Sequence, residues 1–143
     1  MTVIDRSALV QFPAKDMFAL VADIESYPQF MDGCVGAKVL TSSSHEVTAT
    51  LELSKGGIRQ RFTTRNTLQH PSSMNMELVE GPFESFLGCW RFDELTEQAC
   101  KVSLNLSFSF SNSVVGKAAA RLFSSVANSQ VDALCKRARQ LYG

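Results

Sequence analysis

The sequence predicts an α+β fold: a curved antiparallel sheet of about seven strands wrapped around a long C-terminal helix, with two short helices after the first strand. Two observations carry this. Between residues 35 and 110 apolar residues recur with a period of two through six successive segments, and from residue 113 to 142 they recur at three-to-four spacing. Length and composition bound the reading. A chain of 143 residues, 45% hydrophobic and 20% charged, suits a single domain over residues 1–143, able to bury a core without a disulfide or a metal.

The elements follow in order. Val3 to Phe12 reads as a strand with Ile4, Ala8, Val10 and Phe12 on one face. Pro13 interrupts, and Ala14 to Asp23 turns helical through Met17, Phe18, Leu20 and Val21, with Ile24 next on that face. Pro28 prevents this helix from running on, which predicts two short helices around a break, ending near Gly33. Val35, Ala37 and Val39 then alternate up to a Ser42-Ser43-Ser44 turn. Val47, Ala49, Leu51 and Leu53 alternate with Thr48, Thr50, Glu52 and Ser54, and Gly56-Gly57 signals a hairpin. In the next strand Ile58, Phe62, Thr64 and Leu68 oppose Arg59, Arg61, Thr63 and Arg65. A turn at His70-Pro71-Ser72-Ser73 leads to Met74, Met76 and Leu78, and Gly81-Pro82 turns the chain again. Phe86, Gly88, Trp90 and Phe92 share a face, and Val102, Leu104, Leu106, Phe108 and Phe110 alternate with serines and an asparagine. Such half-apolar strands in succession make an antiparallel meander with one wet face, which the first strand is expected to join. The closing segment, Ser113 to Tyr142, reads as one helix capped by Asn112 or Ser113, and the inner face of the sheet is its natural cover.

Several function classes are disfavoured. Net charge is zero with 14 basic and 14 acidic groups, unlike a protein that lives wrapped on nucleic acid. No apolar run reaches the length of a membrane span and no secretory leader is legible, so a cytoplasmic location is expected. Cys34, Cys89, Cys100 and Cys135 form no CxxC pair and stand apart from both histidines, so neither a zinc site nor a redox motif is expected. His45 and His70 lie in turns. Glu80 and Glu84 bracket Gly81-Pro82 without a nucleophile or base beside them, and no hydrolase, zinc-protease or phosphate-loop motif is present. A non-enzymatic protein with no metal or cofactor is the expectation.

A sheet gripping a helix makes a container. Gly116, Ala120, Ser124 and Ala127 form a stripe of small residues along the last helix, with Phe123 beside it. The facing strands carry Phe62, Met74, Met76, Phe86, Trp90 and Phe108, and Phe30 joins them as a candidate lining residue. Such residues suit an apolar pocket, and equally an ordinary core approached closely by a helix. A bulky residue at Ala120 is expected to fill such a pocket. The zero charge is itself a cancellation: the segment from Ser113 onward is net +4 and the remainder −4. Lys117 and Arg121 sit near the start of the last helix, where its dipole disfavours them. Lys55, Arg59, Arg61 and Arg65 form a second basic stripe. Both stripes suit RNA phosphates or a transient membrane-surface contact, or simply a solvated face.

Specific strings sharpen the reading. They are Arg6-Ser7-Ala8-Leu9-Val10, Tyr27-Pro28-Gln29-Phe30 followed by Cys34, Phe62-Thr63-Thr64-Arg65-Asn66, and Gly81-Pro82-Phe83 leading to Leu87-Gly88-Cys89-Trp90-Arg91-Phe92. On these the chain resembles the START/Bet v 1-like helix-grip superfamily. Within it, the likeness is to the coenzyme-Q-binding, polyketide cyclase-like group and its branch of bacterial ribosome association toxins. The resemblance implies a hydrophobic tunnel between sheet and C-terminal helix. Its first functional implication is a carrier that binds ubiquinone by its isoprenoid tail and supports respiration. Its second is a factor that binds the large ribosomal subunit and blocks subunit joining. Cyclase activity ranks third, since the acid–base residues it needs are not apparent.

Overall fold

In the computed structural model, which describes residues 1–143, the chain opens with strand β1 (Thr2–Val10), helix α1 (Ala14–Ala22) and a 3-10 helix (Ile24–Gln29). Six strands follow: β2 (Cys34–Ser42), β3 (Glu46–Lys55), β4 (Ile58–Gln69), β5 (Ser73–Glu80), β6 (Phe83–Thr96) and β7 (Ala99–Phe110). They form one antiparallel sheet in the order β1-β7-β6-β5-β4-β3-β2. The meander is therefore continuous from β2 to β7, and β1 joins it at β7, with Thr2 opposite Phe108 and Val10 opposite Cys100.

Local chemistry explains the connections. Gly56 and Gly57 both adopt positive φ (61° and 82°), the conformation that a two-residue hairpin matching the sheet's twist requires. Pro28 lies inside the 3-10 helix, and Tyr27 at its centre donates its hydroxyl to the Val21 carbonyl, tying that turn back to α1. Register shifts interrupt β2–β3 between Cys34 and Gly36, β4–β5 between Thr63 and Thr64, and β6–β7 between Phe83 and Ser85. Bulges of this kind bend and twist a strand, which is how a sheet curls around a helix. One of them corrects the sequence reading. Alternation places Val35 on the inner face with Ala37 and Val39, but it falls in the first irregularity and is 49% exposed.

The closing segment also departs from expectation. Instead of one helix there are two, α2 (Val114–Asn128) and α3 (Gln130–Tyr142), broken at Ser129. Ser113 caps α2, its Oγ accepting from the Gly116 N–H at 3.0 Å. At the break, Asn128 Nδ2 donates to the Ser124 carbonyl and Ser129 Oγ to the Val126 carbonyl, each at 2.9 Å. Side chains that bond nearby backbone groups compete with the helical ladder, and two in succession bend the chain here. Asn128 Oδ1 also accepts from Arg6 Nε at 3.2 Å, which fastens the bend to β1.

The core is one cluster of 33 buried residues drawn from the sheet and all the helices. Phe123 on α2 is its aromatic centre. Its ring lies 4.6 Å from Phe108, 5.0 Å from Phe83 and 5.6 Å from Phe62, edge-on in each case. This is the geometry in which the positive edge of one ring meets the negative face of another.

Candidate ligand cavity and charged surfaces

Between the concave face of the sheet and the bend of the C-terminal helices lies a cavity of about 40 Å³, the space of a few water molecules. Its sheet wall is Ala49 and Leu51 on β3, Phe62, Thr64 and Asn66 on β4, Met74 and Met76 on β5, Phe86 and Trp90 on β6, and Leu104 and Leu106 on β7. Phe123, Ala127 and Gln130 close it from the helices, and Ile24 and Tyr27 from the 3-10 helix. Gly88 has a steric reason to be glycine. A Cβ there would lie 2.6 Å from Leu106 Cδ2 and 2.8 Å from Met76 Cε, so its absence lets both side chains fold across β6. The wall holds no charged side chain. Tyr27 is fully spoken for: its hydroxyl donates to Val21, and burial, then Cys34 and Asp23, push its ionisation well above the ordinary phenol range.

Three polar residues interrupt the apolar lining, Gln130 from α3 and Thr64 and Asn66 from β4. Thr64 and Asn66, 5% and 3% exposed, lie two apart on the inner face of β4, and Thr64 Oγ1 donates to Asn66 Oδ1 at 2.9 Å. The period-two pattern already puts Asn66 inward, in step with Phe62, Thr64 and Leu68. The sequence reading put Thr64 on that face and missed Asn66, although a polar residue at an inward register position was the available signal.

The candidate lining residues are not all brought together. Phe62, Met74, Met76, Phe86, Trp90, Phe123 and Ala127 meet at the cavity. Phe108 is fully buried behind it, packed on Phe123. Phe30 lies outside, beneath the Arg137 guanidinium at 5.3 Å. The small-residue stripe diverges from the cavity too. Gly116 and Ala120 line a separate depression with Met1, Thr2 and Phe110, so bulk at Ala120 would not reach the interior. Gly116 is small because a Cβ would lie 2.1 Å from the Ser111 carbonyl oxygen. Ser124 is half-buried on α2, where its carbonyl accepts from Asn128.

The basic residues divide as well. Arg59 pairs with Glu52 at 2.9 Å, Arg65 with Glu46 at 3.7 Å and Lys55 with Asp32 at 3.2 Å. Lys55 also donates to Ser125 Oγ at 3.1 Å, linking the β3–β4 hairpin to α2. Arg61, Lys117 and Arg121 are exposed and have no acidic partner. All four cysteines are free thiols, and burial is the main cause that pushes the pH at which each ionises above the ordinary thiol value.

Comparison with known proteins places this architecture. The family described as polyketide cyclase/dehydrase and lipid transport matches residues 10–135. The chain belongs to that family. It is 44% identical over 142 residues to the ribosome association toxin RatA of Pseudomonas aeruginosa, covering 99% of both chains. The RatA of Escherichia coli K12 is 42% identical over 142 residues, 99% of this chain and 90% of that one. A mitochondrial coenzyme Q-binding protein of Xenopus laevis is more distant, 24% identical over 141 residues, with 96% of this chain and 58% of that one covered. The fold is shared with a START superfamily protein of Mycobacterium smegmatis (TM-score 0.80, 19% identity, covering 97% and 98% of the two chains). It is shared equally with the Zhui aromatase/cyclase of Streptomyces sp. R1128 (TM-score 0.85, 14% identity, covering 97% and 94%). The family thus confirms the helix-grip architecture, and no helix is long and apolar enough to cross a membrane.

Proposed function

We propose that this protein associates with the ribosome, binding the large subunit and opposing its joining to the small one, and that it acts by binding rather than by catalysis. One observation carries the reading: 44% identity to a ribosome association toxin along 99% of both chains. At the surface, the unpaired cations Arg61, Lys117 and Arg121 support it, because a cation with no acidic partner meets a phosphate without first breaking an ion pair. The test is cosedimentation with purified large subunits across a salt series. Lys117→Glu with Arg121→Glu is expected to lower affinity by about tenfold or more. It should also flatten the salt dependence, by roughly 0.7–0.9 in log–log slope for each phosphate that the variant no longer neutralises. Wild-type chain that stays in the supernatant at low salt overturns the reading.

A second reading has its own support. A cavity walled by Met74, Met76, Phe62, Phe86 and Trp90 suits an apolar ligand, and the distant coenzyme Q-binding relative makes ubiquinone the specific candidate. At about 40 Å³ the cavity is far below the roughly 300–1,000 Å³ of ordinary ligand pockets, so binding requires the walls to part. The two methionines, unbranched and readily repacked, are the residues to yield. Native mass spectrometry of the protein with added ubiquinone should then show a one-to-one adduct, whose absence removes ubiquinone from consideration.

A further inference from the structure

We propose that Thr64 and Asn66 form a polar anchor within the cavity, one that holds a neutral, flat, apolar molecule by a hydrogen-bond-accepting oxygen such as a ring carbonyl. The proposal rests on the apolar-ligand reading above. Nothing in the sheet calls for an amide at this position. On the neighbouring strands Asn66 stands opposite Val47 and Met76, both apolar, and a Leu would fill the same space without desolvating a polar group. A buried amide persists at a cost unless it is bonded. Here only one end is. Oδ1 accepts from Thr64 Oγ1 at 2.9 Å, while Nδ2 makes no hydrogen bond within the chain and retains a little open surface at the cavity that Asn66 lines.

The surroundings narrow the ligand further. No Asp, Glu, Lys, Arg or His lines the cavity, so an ionised head would enter unpaired and suffer its full desolvation. The walls offer ring faces and edges from Phe62, Phe86, Trp90 and Phe123, which favour a flat body. Thr64 is then a positioning residue and Asn66 the binding one.

The matched probes are 1-indanone and indane, one flat bicycle with and without a ring carbonyl. Protein carrying 13C-methyl methionine reports on them directly, since Met74 and Met76 line the cavity whereas Met17 and Met31 are buried away from it. Wild-type protein is expected to bind 1-indanone about tenfold more tightly than indane, the value of one buried hydrogen bond. Asn66→Leu should bind the two alike, and Thr64→Val should narrow the preference while keeping both. Equal affinity of the wild-type protein for the two probes overturns the anchor but leaves the apolar-ligand reading standing, as does a preference that survives in Asn66→Leu. Should Asn66→Leu fail to fold, the wild-type comparison and Thr64→Val decide the matter. If neither probe shifts the Met74 or Met76 methyl at saturation, both readings fall together.

Discussion

Along β4 the two faces of one strand are held by different forces. Facing in, Phe62, Thr64, Asn66 and Leu68 are at most 7% exposed, among apolar neighbours that include Val47, Ala49, Met74 and Met76. Facing out, Arg59 and Arg65 reach glutamates across the adjacent strand while Arg61 stands free. The inner face is stabilised by area removed from water and by ring geometry, neither of which depends on charge screening. The outer face rests on exposed ion pairs, which contribute little and weaken with ionic strength. Substitutions should therefore separate cleanly: losses of stability inside, losses of partner binding outside.

The strongest way to break that division is at its aromatic centre. Phe123→Ala should cost about 3–5 kcal/mol, because it removes a ring that five other phenylalanines touch and leaves a hole that the curved sheet cannot collapse to fill. Urea unfolding reads this directly, and a loss below about 1 kcal/mol would mean the interior is far looser than its ring geometry implies.

A smaller effect should appear at alkaline pH. Cys100 on β7 is wholly buried, and burial, followed by Cys135 and Asp93, raises its thiol from 9.0 to about 11. The folded chain thus keeps a proton that the unfolded chain releases near pH 9. Stability from this group is complete below that pH and is lost as pH climbs towards 11. Urea midpoints between about pH 8 and 11 should fall, and Cys100→Ala should make the fall shallower. An unchanged slope in that variant would assign the alkaline loss to other groups, Tyr27 first among them.

The smallest effect belongs to the outer face. Arg59→Gln breaks the 2.9 Å pair with Glu52, yet with Arg59 two-thirds exposed the cost should stay below about 0.5 kcal/mol. A loss rivalling that of Phe123→Ala would erase the distinction between the two faces.

What the sequence disclosed follows the same division. Period two names inner-face residues without any knowledge of partners, which is why it groups Phe62, Met74, Met76, Phe86 and Trp90 correctly. Where register slips, period fails, and Val35 is exposed for that reason. The helix break was less visible, because Asn128 and Ser129 are unremarkable in a helix until their side chains turn back to the Ser124 and Val126 carbonyls. The small-residue stripe misled because a small side chain records only that something is near. At Gly116 that neighbour is the Ser111 carbonyl. The state of the basic stripe was out of reach too, since Arg59 meets Glu52 only once the β3–β4 hairpin sets the pairing.

The pairing of β1 with β7 has a consequence for how the molecule comes into being. During synthesis β1 emerges ahead of the other six strands, yet the strand it needs, with Cys100 for Val10 and Phe108 for Thr2, is the last of the seven to follow. The hairpins from β2 to β7 close between near neighbours and can assemble as they appear, whereas β1 waits with its backbone unpaired. Its outward Val3 and Leu9 remain 66% and 73% exposed even after folding, so during that wait it is the segment most apt to pair with another nascent copy. Arg6, charged at the middle of the strand and later bonded to Asn128, is well placed to discourage that encounter.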